Sequence, residues 1–277
     1  MTTTRFAPSP TGCLHLGHAF SAVIGRAAGD RFLVRIEDLD AGRCRPEFVD
    51  AIFDDLSWLG IAWDGEPVIQ SARVGAYASA LEDLRARGLV YPCFCTRADI
   101  VASLTAPHSD AASAYPGTCR GLPDDPERQA TTPHSWRLDG GKALAMTGLP
   151  TWREGADVFT ATAGDIGDAI LARKDAPAAY HLACVVDDAA SGVDLVVRGA
   201  DLRPSTAVQR LLQMLLDLPE PTYLHHPLVA HADGRRLAKR DLAPTLGAMR
   251  AAGIDGTLLA VQLAEGRLPL GFGLIDA

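Results

Sequence analysis

The hydrophobic pattern of the first ninety residues alternates between strand-like runs and helix-like spacing. Residues 3–7 and 31–40 contain short apolar runs that are typical of buried strands. Residues 15–28, 45–60 and 77–88 instead carry apolar side chains every three or four positions, as helices with one buried face do. A strand–helix–strand–helix order predicts a parallel sheet with crossover helices.

The same alternation returns in the second half of the chain. Residues 178–190 and 203–218 are predicted helices, and residues 192–202 and 222–230 are predicted strands. The tail after Pro244 is expected to be helical at first and then irregular. These segments predict an α/β fold with a Rossmann-like, doubly wound parallel sheet.

The middle of the chain interrupts this pattern. Residues 89–178 include a long stretch rich in Pro, Ser and Ala, with short strand-like segments at 135–139 and 167–175. We predict that residues 89–178 form an α+β insertion between the two parts, 1–88 and 179–230, of a Rossmann-like catalytic domain. Residues 231–277 would then form a basic loop and a short helical tail.

Composition limits the class of protein. The chain has 277 residues, a formal net charge of −8 and 48% hydrophobic residues, which is ordinary for a globular protein. No apolar run reaches the roughly 18 residues of a membrane span, and the first residues do not resemble a signal peptide. We therefore expect a cytoplasmic protein without membrane contact, in which the six cysteines are free thiols or metal ligands.

Two histidines mark a candidate anion site. His15 and His18 are predicted to lie in the first turn of the helix that follows the first strand. The positive end of such a helix binds phosphate groups, and Gly17 would allow a ligand to approach closely. An isolated pair of this kind is more often a surface feature, but the preceding strand, turn and glycines favour a nucleotide site.

Longer stretches resemble a known enzyme family. The motif HLGH at residues 15–18 is similar to the His-x-Gly-His motif of class I aminoacyl-tRNA synthetases and related nucleotidyltransferases. The segments RFAPSPTGCLHLGHA, RIEDLD and AYHLACVVDD, followed by VDLVVRGADL, resemble glutamyl-tRNA synthetases, and the likeness extends from about residue 3 to 245. The resemblance implies ATP and Mg²⁺ as a substrate pair, with His15, Gly17, His18 and Lys239 at the ATP and the two histidines and Lys239 in catalysis.

The sequence continues for only 37 residues after its basic loop, so we expect no anticodon-binding part like that of a full glutamyl-tRNA synthetase. This arrangement resembles the glutamyl-Q tRNA(Asp) synthetases, which are paralogues of the catalytic half alone. The resemblance implies transfer of L-glutamate to the queuosine base of tRNA(Asp) by a monomeric enzyme. The alternatives are a short synthetase that charges a tRNA 3′ end, a non-catalytic amino-acid or RNA-binding paralogue, and a different His-x-Gly-His nucleotidyltransferase.

Charged residues at predicted strand ends suit glutamate. Arg5 and Arg198 would open onto the carboxyl edge of the sheet, where guanidinium groups can bind carboxylates. Glu37 suits an ammonium group, and Tyr180 offers a hydroxyl. The family resemblance implies a glutamate site made of six residues, which are Arg5, Ala7, Ser9, Glu37, Tyr180 and Arg198. The alternative is that Arg198 and Glu37 form only structural ion pairs.

The basic loop GRRLAKR (234–240) departs from the Lys-Leu-Ser-Lys pattern of the family. Arg236 stands in place of the first lysine and Ala238 in place of the serine, whereas Lys239 is retained. A cation here would stabilise the charge of the leaving pyrophosphate. We expect slower chemistry or a looser loop, and not an inactive protein. The alternative is an ordinary solvated basic turn.

Four residues around the insertion are candidate metal ligands. Cys93 and Cys95 are separated by one residue, and Tyr115 and Cys119 by three. This spacing is tighter than the usual zinc pattern, and a tyrosine ligand is unusual, so spacing alone leaves the metal open. His108 is a rival fourth ligand. The family resemblance implies one structural Zn²⁺ per chain, held by Cys93, Cys95, Tyr115 and Cys119.

Overall fold

The computed structural model describes residues 1–96, 98–100, 115–235, 237 and 244–276. Nine helices and twelve strands in these ranges are numbered in chain order. The helices are α1 Leu16–Ala28, α2 Pro46–Trp58, α3 Val74–Ala86, α4 Pro126–Thr131, α5 Gly140–Thr147, α6 Tyr180–Ala190, α7 Ser205–Leu215, α8 Leu246–Ala251 and α9 Gly256–Ala264. The strands are β1 Thr3–Phe6, β2 Arg31–Ile36, β3 Val68–Ile69, β4 Val90–Cys93, β5 Ser135–Leu138, β6 Thr151–Glu154, β7 Asp157–Thr160, β8 Ile170–Ala172, β9 Leu195–Gly199, β10 Thr222–His226, β11 Leu228–His231 and β12 Phe272–Ile275.

Parallel strands form the centre of the fold. β1 pairs with β2 and β2 with β3, while β9 pairs with β10 and β10 with β6, all in parallel. The two groups meet where β1 lies beside β9, since the amide of Asp194 donates to the carbonyl of Thr3 at 3.2 Å. The predicted α/β class with a parallel sheet is confirmed, and the carboxyl ends of β1, β2, β9 and β10 share one edge.

The predicted insertion contributes to two sheets. β4, β5 and β8 form a separate antiparallel sheet, as an α+β insertion requires. The hairpin of β6 and β7 instead extends the parallel sheet, through the pairing of Glu154 with Tyr223. Leu138 and Leu171, from the antiparallel sheet, also pack into the same buried cluster as Leu182 and Leu211. The domain bounds proposed from the sequence stay a prediction.

The C-terminal region is more ordered than its sequence indicated. The single strand predicted for residues 222–230 is divided at Pro227, which has no N–H to donate to a ladder. The second piece, β11, pairs antiparallel with β12. The prediction of an irregular end was wrong for residues 272–275, because a four-residue strand has little periodicity of its own.

A second buried cluster anchors this region to the first helix. Phe20, Phe32 and Ile52 pack with Leu246 and Leu263, which come from the two C-terminal helices.

Across the described ranges, no helix has the length and apolar character needed to cross a lipid bilayer.

One close backbone approach holds α9 in place. A Cβ at Gly256 would lie 2.2 Å from the carbonyl oxygen of Trp58 and 2.6 Å from its ring. Glycine is therefore required by the packing of α9 on the end of α2. At Gly247 in α8, the one atom of the described residues outside the helix backbone that lies near a hypothetical Cβ is the Thr245 hydroxyl oxygen, at 4.0 Å.

We predict that Gly256→Ala lowers the free energy of unfolding by about 1–3 kcal/mol, because the methyl group overpacks the Trp58 contact. Gly247→Ala is the matched control and should leave stability unchanged or raise it slightly, since alanine favours helix. Urea denaturation of the three proteins measures the difference. Equal midpoints for both variants would contradict the close approach.

Candidate active site

One cavity lies at the carboxyl edge of the parallel sheet. Its volume is about 400 Å³, and its lining combines the end of β1, the following loop, α1, α6 and the end of β9. The structure brings all six residues of the sequence-predicted glutamate set into this lining, together with His18. The lining includes Arg5, Ala7, Ser9, His18, Glu37, Tyr180 and Arg198. Residues from four distant parts of the chain therefore face one space.

Two buried arginines share one carboxylate beneath this cavity. Arg5 Nε donates to Asp188 Oδ1 at 3.0 Å, and Arg35 Nη1 donates to the same oxygen. Arg5 Nη1 also donates to the carbonyl of Val197 at 3.2 Å, which joins β1 to β9. Burial alone would raise the pKa of Asp188, but the two guanidinium groups hold it well below its usual range. Asp188 is therefore a buried anion that fixes both arginines.

Glu37 completes this charge network. Its Oε1 accepts from Arg35 Nη2 at 3.0 Å, and its side chain is 12% exposed. Burial raises the pKa of Glu37, and the charge of Arg35 opposes that effect. The carboxylate thus lies at the boundary between the buried pair and the cavity.

Arg198 is held in a different way. Its Nη1 donates to Gln209 Oε1 at 2.6 Å, its Nη2 to Thr206 Oγ1 at 2.8 Å and its Nε to His225 Nε2 at 3.1 Å. The Tyr180 hydroxyl lies 3.5 Å from Nη1, and burial raises the pKa of that hydroxyl. Within the ranges that the structure covers, no aspartate or glutamate forms an ion pair with Arg198. A buried cation surrounded by neutral acceptors is available to an anionic ligand.

The histidine pair caps the first helix. His15 is the N-cap of α1, and its Nδ1 accepts from the Gly17 amide at 3.1 Å. In return, His18 Nδ1 accepts from the His15 amide at 3.1 Å. The two rings lie against each other, with centroids 3.9 Å apart. His18 lines the cavity, and His15 lies beside it.

The structure gives a reason for glycine at position 17 that differs from the close approach of a ligand that the sequence predicts. A Cβ at this position would lie 3.1 Å from Cε1 and 3.3 Å from Nδ1 of His15. Glycine therefore leaves room for the capping ring. The close approach of a ligand, which the sequence predicts here, stays a prediction.

Sequence reasoning missed several residues of the site. Arg35 and Asp188 carry its buried charge, and Gln209 and His225 hold Arg198. One signal was present for Asp188, since it follows Tyr180 by eight positions and therefore lies on the same face of α6. The partners of Arg198 gave no such signal, because they come from different elements.

Part of the predicted site lies outside the described residues. This applies to Lys239, Arg236 and Ala238 of the basic loop, and to His108, the rival metal ligand. Their predicted roles stay predictions from the sequence.

A second cluster gathers the predicted metal ligands. The sulfur atoms of Cys93, Cys95 and Cys119 all lie within 4.8 Å of one another, and those of Cys95 and Cys119 are 3.5 Å apart. The Tyr115 hydroxyl lies 3.4 Å from the Cys93 sulfur and 3.6 Å from that of Cys95. Zn–S bonds of about 2.3 Å in a tetrahedron place the sulfurs about 3.8 Å apart, so this cluster could hold a metal ion.

The surroundings of the phenol also suit a metal ligand. Tyr115 is buried, and its hydroxyl accepts from the Cys119 amide at 2.8 Å. The guanidinium of Arg137 lies over its ring, with Cζ 3.9 Å from the centroid. Burial raises the pKa of Tyr115, so a bound cation is needed to favour its phenolate form.

Comparison with known proteins agrees with this geometry. Residues 1–260 match the family model described as tRNA synthetases class I (E and Q), catalytic domain. A glutamyl-Q tRNA(Asp) synthetase of Rhodobacter capsulatus is 46% identical over 264 residues, which cover 90% of this chain and 95% of the relative. This chain belongs to the glutamyl-Q tRNA(Asp) synthetase family. The resemblance inferred from the sequence motifs is thereby confirmed.

Other relatives in the family are equally similar. A glutamyl-Q tRNA(Asp) synthetase of Thiobacillus denitrificans is 44% identical over 273 residues, covering 96% of this chain and 86% of the relative. One of Nocardia farcinica is 47% identical over 255 residues, covering 90% and 79%.

Solved structures share the fold. A glutamate tRNA ligase of Elizabethkingia meningosepticum, in complex with its amino acid, superposes with a TM-score of 0.79 at 24% identity. A glutamate-tRNA synthetase of Elizabethkingia anophelis gives the same TM-score and identity. This chain is covered to 95% in both comparisons, but spans only 60% and 61% of those chains.

We predict that Asp188→Asn destabilises the fold by about 3–5 kcal/mol, because two buried guanidinium groups lose the anion that compensates them. The matched control is Asp83→Asn, whose carboxylate is half exposed and pairs with Arg87 at 3.1 Å. That change should cost less than about 1 kcal/mol. Chemical denaturation compares the two. Similar losses would show that the Asp188 network contributes little stability.

Proposed function

We propose that this chain joins L-glutamate to AMP at the expense of ATP, and then passes the glutamyl group to the queuosine base in the anticodon of tRNA(Asp). Family membership supports the reaction, and the relatives, which are glutamyl-Q tRNA(Asp) synthetases, supply the acceptor. The observation that carries the glutamate part is Arg198, a buried cation that faces the cavity without an anionic partner among the described residues.

The charges around the cavity complement glutamate. Arg5 and Arg35 are balanced by Asp188 and Glu37, so the remaining positive charge belongs to Arg198. Glutamate brings two carboxylates and one ammonium, a net charge of −1. One carboxylate would pair with Arg198, and the ammonium would lie near Glu37 at the cavity boundary. Arg5 has N–H groups left to bind the other carboxylate.

The first step needs no covalent intermediate on the protein. An α-carboxylate oxygen of glutamate attacks the α-phosphorus of ATP, and the bond to the departing pyrophosphate breaks. The protein aligns the two substrates and stabilises the charge that develops on the phosphate oxygens. The positive end of α1 lies where His18 enters the cavity, which places it suitably for that role.

The helix cap also sets the proton position on both imidazoles. Because Nδ1 of His15 and of His18 each accept a backbone N–H, a neutral ring carries its proton on Nε2. Each ring would then present an N–H donor to the triphosphate. Lys239 is proposed from the sequence as the cation that meets the pyrophosphate, and Mg²⁺ would arrive with ATP.

The thiol cluster is proposed as a structural zinc site. Three thiolates and the Tyr115 phenolate would complete four ligands, which leaves no open position for catalysis. The metal would link β4 to the segment around residues 115–119, which has little apolar core of its own. The monomeric state and the cytoplasmic location stay predictions.

We predict that ATP–pyrophosphate exchange, run with each of the twenty amino acids, proceeds with glutamate alone. Arg198→Lys should raise the KM for glutamate about tenfold or more and leave the KM for ATP unchanged, because lysine keeps the charge but loses the forked geometry. Exchange that is independent of glutamate, or an unchanged KM, would contradict the assignment of the cavity.

The acceptor is tested in the same assay series. Radiolabelled glutamate should pass to tRNA(Asp) that carries queuosine and not to the unmodified transcript. Equal labelling of both would favour a short synthetase that charges the 3′ end. Absence of any exchange would favour a binding protein.

We predict one zinc per chain by elemental analysis of protein purified without chelator. Cys119→Ser should lose most of that zinc, whereas Cys44→Ser, which alters a thiol outside the cluster, should retain it. Chelation of the native protein should lower its melting temperature, and Zn²⁺ but not Mg²⁺ should restore it. Full zinc content in Cys119→Ser would contradict the proposed ligand set.

A further inference from the structure

A chain of three side chains runs across three neighbouring parallel strands to the cavity. Arg198 on β9 is in register with His225 on β10, and β10 pairs on its other side with β6, which ends at Glu154. Arg198 Nε lies 3.1 Å from His225 Nε2, and His225 Nδ1 lies 2.9 Å from Glu154 Oε1. Glu154 comes from the hairpin in the predicted insertion, far along the chain from the cavity.

The donors and acceptors in this chain allow one arrangement of protons. A guanidinium group can only donate, so His225 Nε2 must accept and cannot carry a proton. The proton of the neutral ring is then on Nδ1, where Glu154 Oε1 accepts it. Glu154 thus selects the tautomer of His225 that can hold Arg198.

The charge of each group matters as much as its position. The side chain of His225 is buried, and this burial together with the charge of Arg198 lowers its pKa to about 4 despite the opposing effect of Glu154. The ring is therefore neutral near pH 7 and holds Arg198 without neutralising it. Asp188 and Glu37, by contrast, pair directly with Arg5 and Arg35 and compensate their charges.

We propose that Glu154 and His225 are positioning residues that orient Arg198 for the ligand carboxylate while leaving its charge available. This inference rests on the proposed function, because it assigns Arg198 to glutamate. Neither residue lines the cavity, so both act through Arg198.

The carboxylate of Glu154 is itself held in place. Trp152 Nε1 donates to Oε1 at 3.0 Å, and Arg203 Nη2 donates to Oε2 at 2.8 Å. Arg203 is 45% exposed, whereas Glu154 is only 10% exposed. The Arg203 contact can therefore be removed separately from the contact with His225.

Three variants separate positioning from a general effect on the hairpin. Glu154→Ala removes the acceptor of the Nδ1 proton, and Glu154→Gln keeps an amide oxygen there. Arg203→Met removes the ion pair between Arg203 and Glu154 and leaves the contacts from Glu154 through His225 to Arg198 intact. In glutamate-dependent pyrophosphate exchange, we expect Glu154→Ala to raise the KM for glutamate about tenfold or more, because a charge-assisted hydrogen bond is misaligned. The KM for ATP should not change, and the other two variants should resemble the native protein.

The ring nitrogens of His225 give a readout that does not depend on activity. In ¹⁵N spectra of the native protein and of Glu154→Gln, Nδ1 should be protonated and Nε2 unprotonated. In Glu154→Ala the Nδ1 proton loses its acceptor, so a tautomer with the proton on Nε2, which has lost its contact with Arg198, should appear beside the native one. A native ring with its proton on Nε2, or an equal rise of the glutamate KM in all three variants, would overturn the proposal.

The two proposals fail in different ways. If the native protein shows no exchange with glutamate, the proposed function is wrong, and the ring spectra still test the contact between Glu154 and His225. If exchange is normal and Glu154→Ala has the native KM for glutamate, the function stands and the positioning role is wrong.

Discussion

Burial of guanidinium groups at the carboxyl edge of the sheet is the constraint on which this site depends. A buried cation needs either a compensating charge or a full set of acceptors. Arg5 and Arg35 have a compensating charge, since both donate to the carboxylate of Asp188. Arg198 instead has a set of neutral acceptors, which are oxygen and nitrogen atoms of the described residues around it. Because Asp188 and Glu37 together balance the first pair, Arg198 is the positive charge that the described residues of the cavity lining leave for a ligand.

The helices that pack against the sheet provide the different partners of Arg5 and Arg35 on one hand and of Arg198 on the other. Helix α6 delivers Asp188 beneath the cavity and Tyr180 to its lining, because the two residues share a helix face. Helix α7 delivers the hydroxyl and the amide that hold Arg198. Helix α1 presents its positive end beside them, with a cap made from two imidazoles that the backbone orients. The proposed sites for the amino acid and for the phosphate groups thus lie in neighbouring parts of one edge.

The inserted region contributes two structures, a separate antiparallel sheet and a hairpin that extends the parallel sheet. The cluster of Cys93, Cys95 and Cys119, which could hold a metal ion, begins at the strand β4 of that antiparallel sheet. The hairpin adds β6 to the parallel sheet and brings Glu154 within 2.9 Å of the His225 ring. A segment that reads as a separate module in the sequence therefore contributes to the support of Arg198. Glu154 contacts the neutral His225 ring, and His225 in turn contacts Arg198 at the cavity.

The sequence by itself determined the alternating elements, the family and the six residues of the predicted glutamate set, which the structure places in the cavity lining. Apolar periodicity is local, and His15, Glu37 and Arg198 stand in motifs that can be recognised without a structure. Only the tertiary structure decided which arginines are neutralised and how Glu154 contacts His225. Those answers depend on hydrogen bonds between residues far apart in the chain, which no local pattern encodes. The strand order brings the partners together, and burial then determines which charges need a partner.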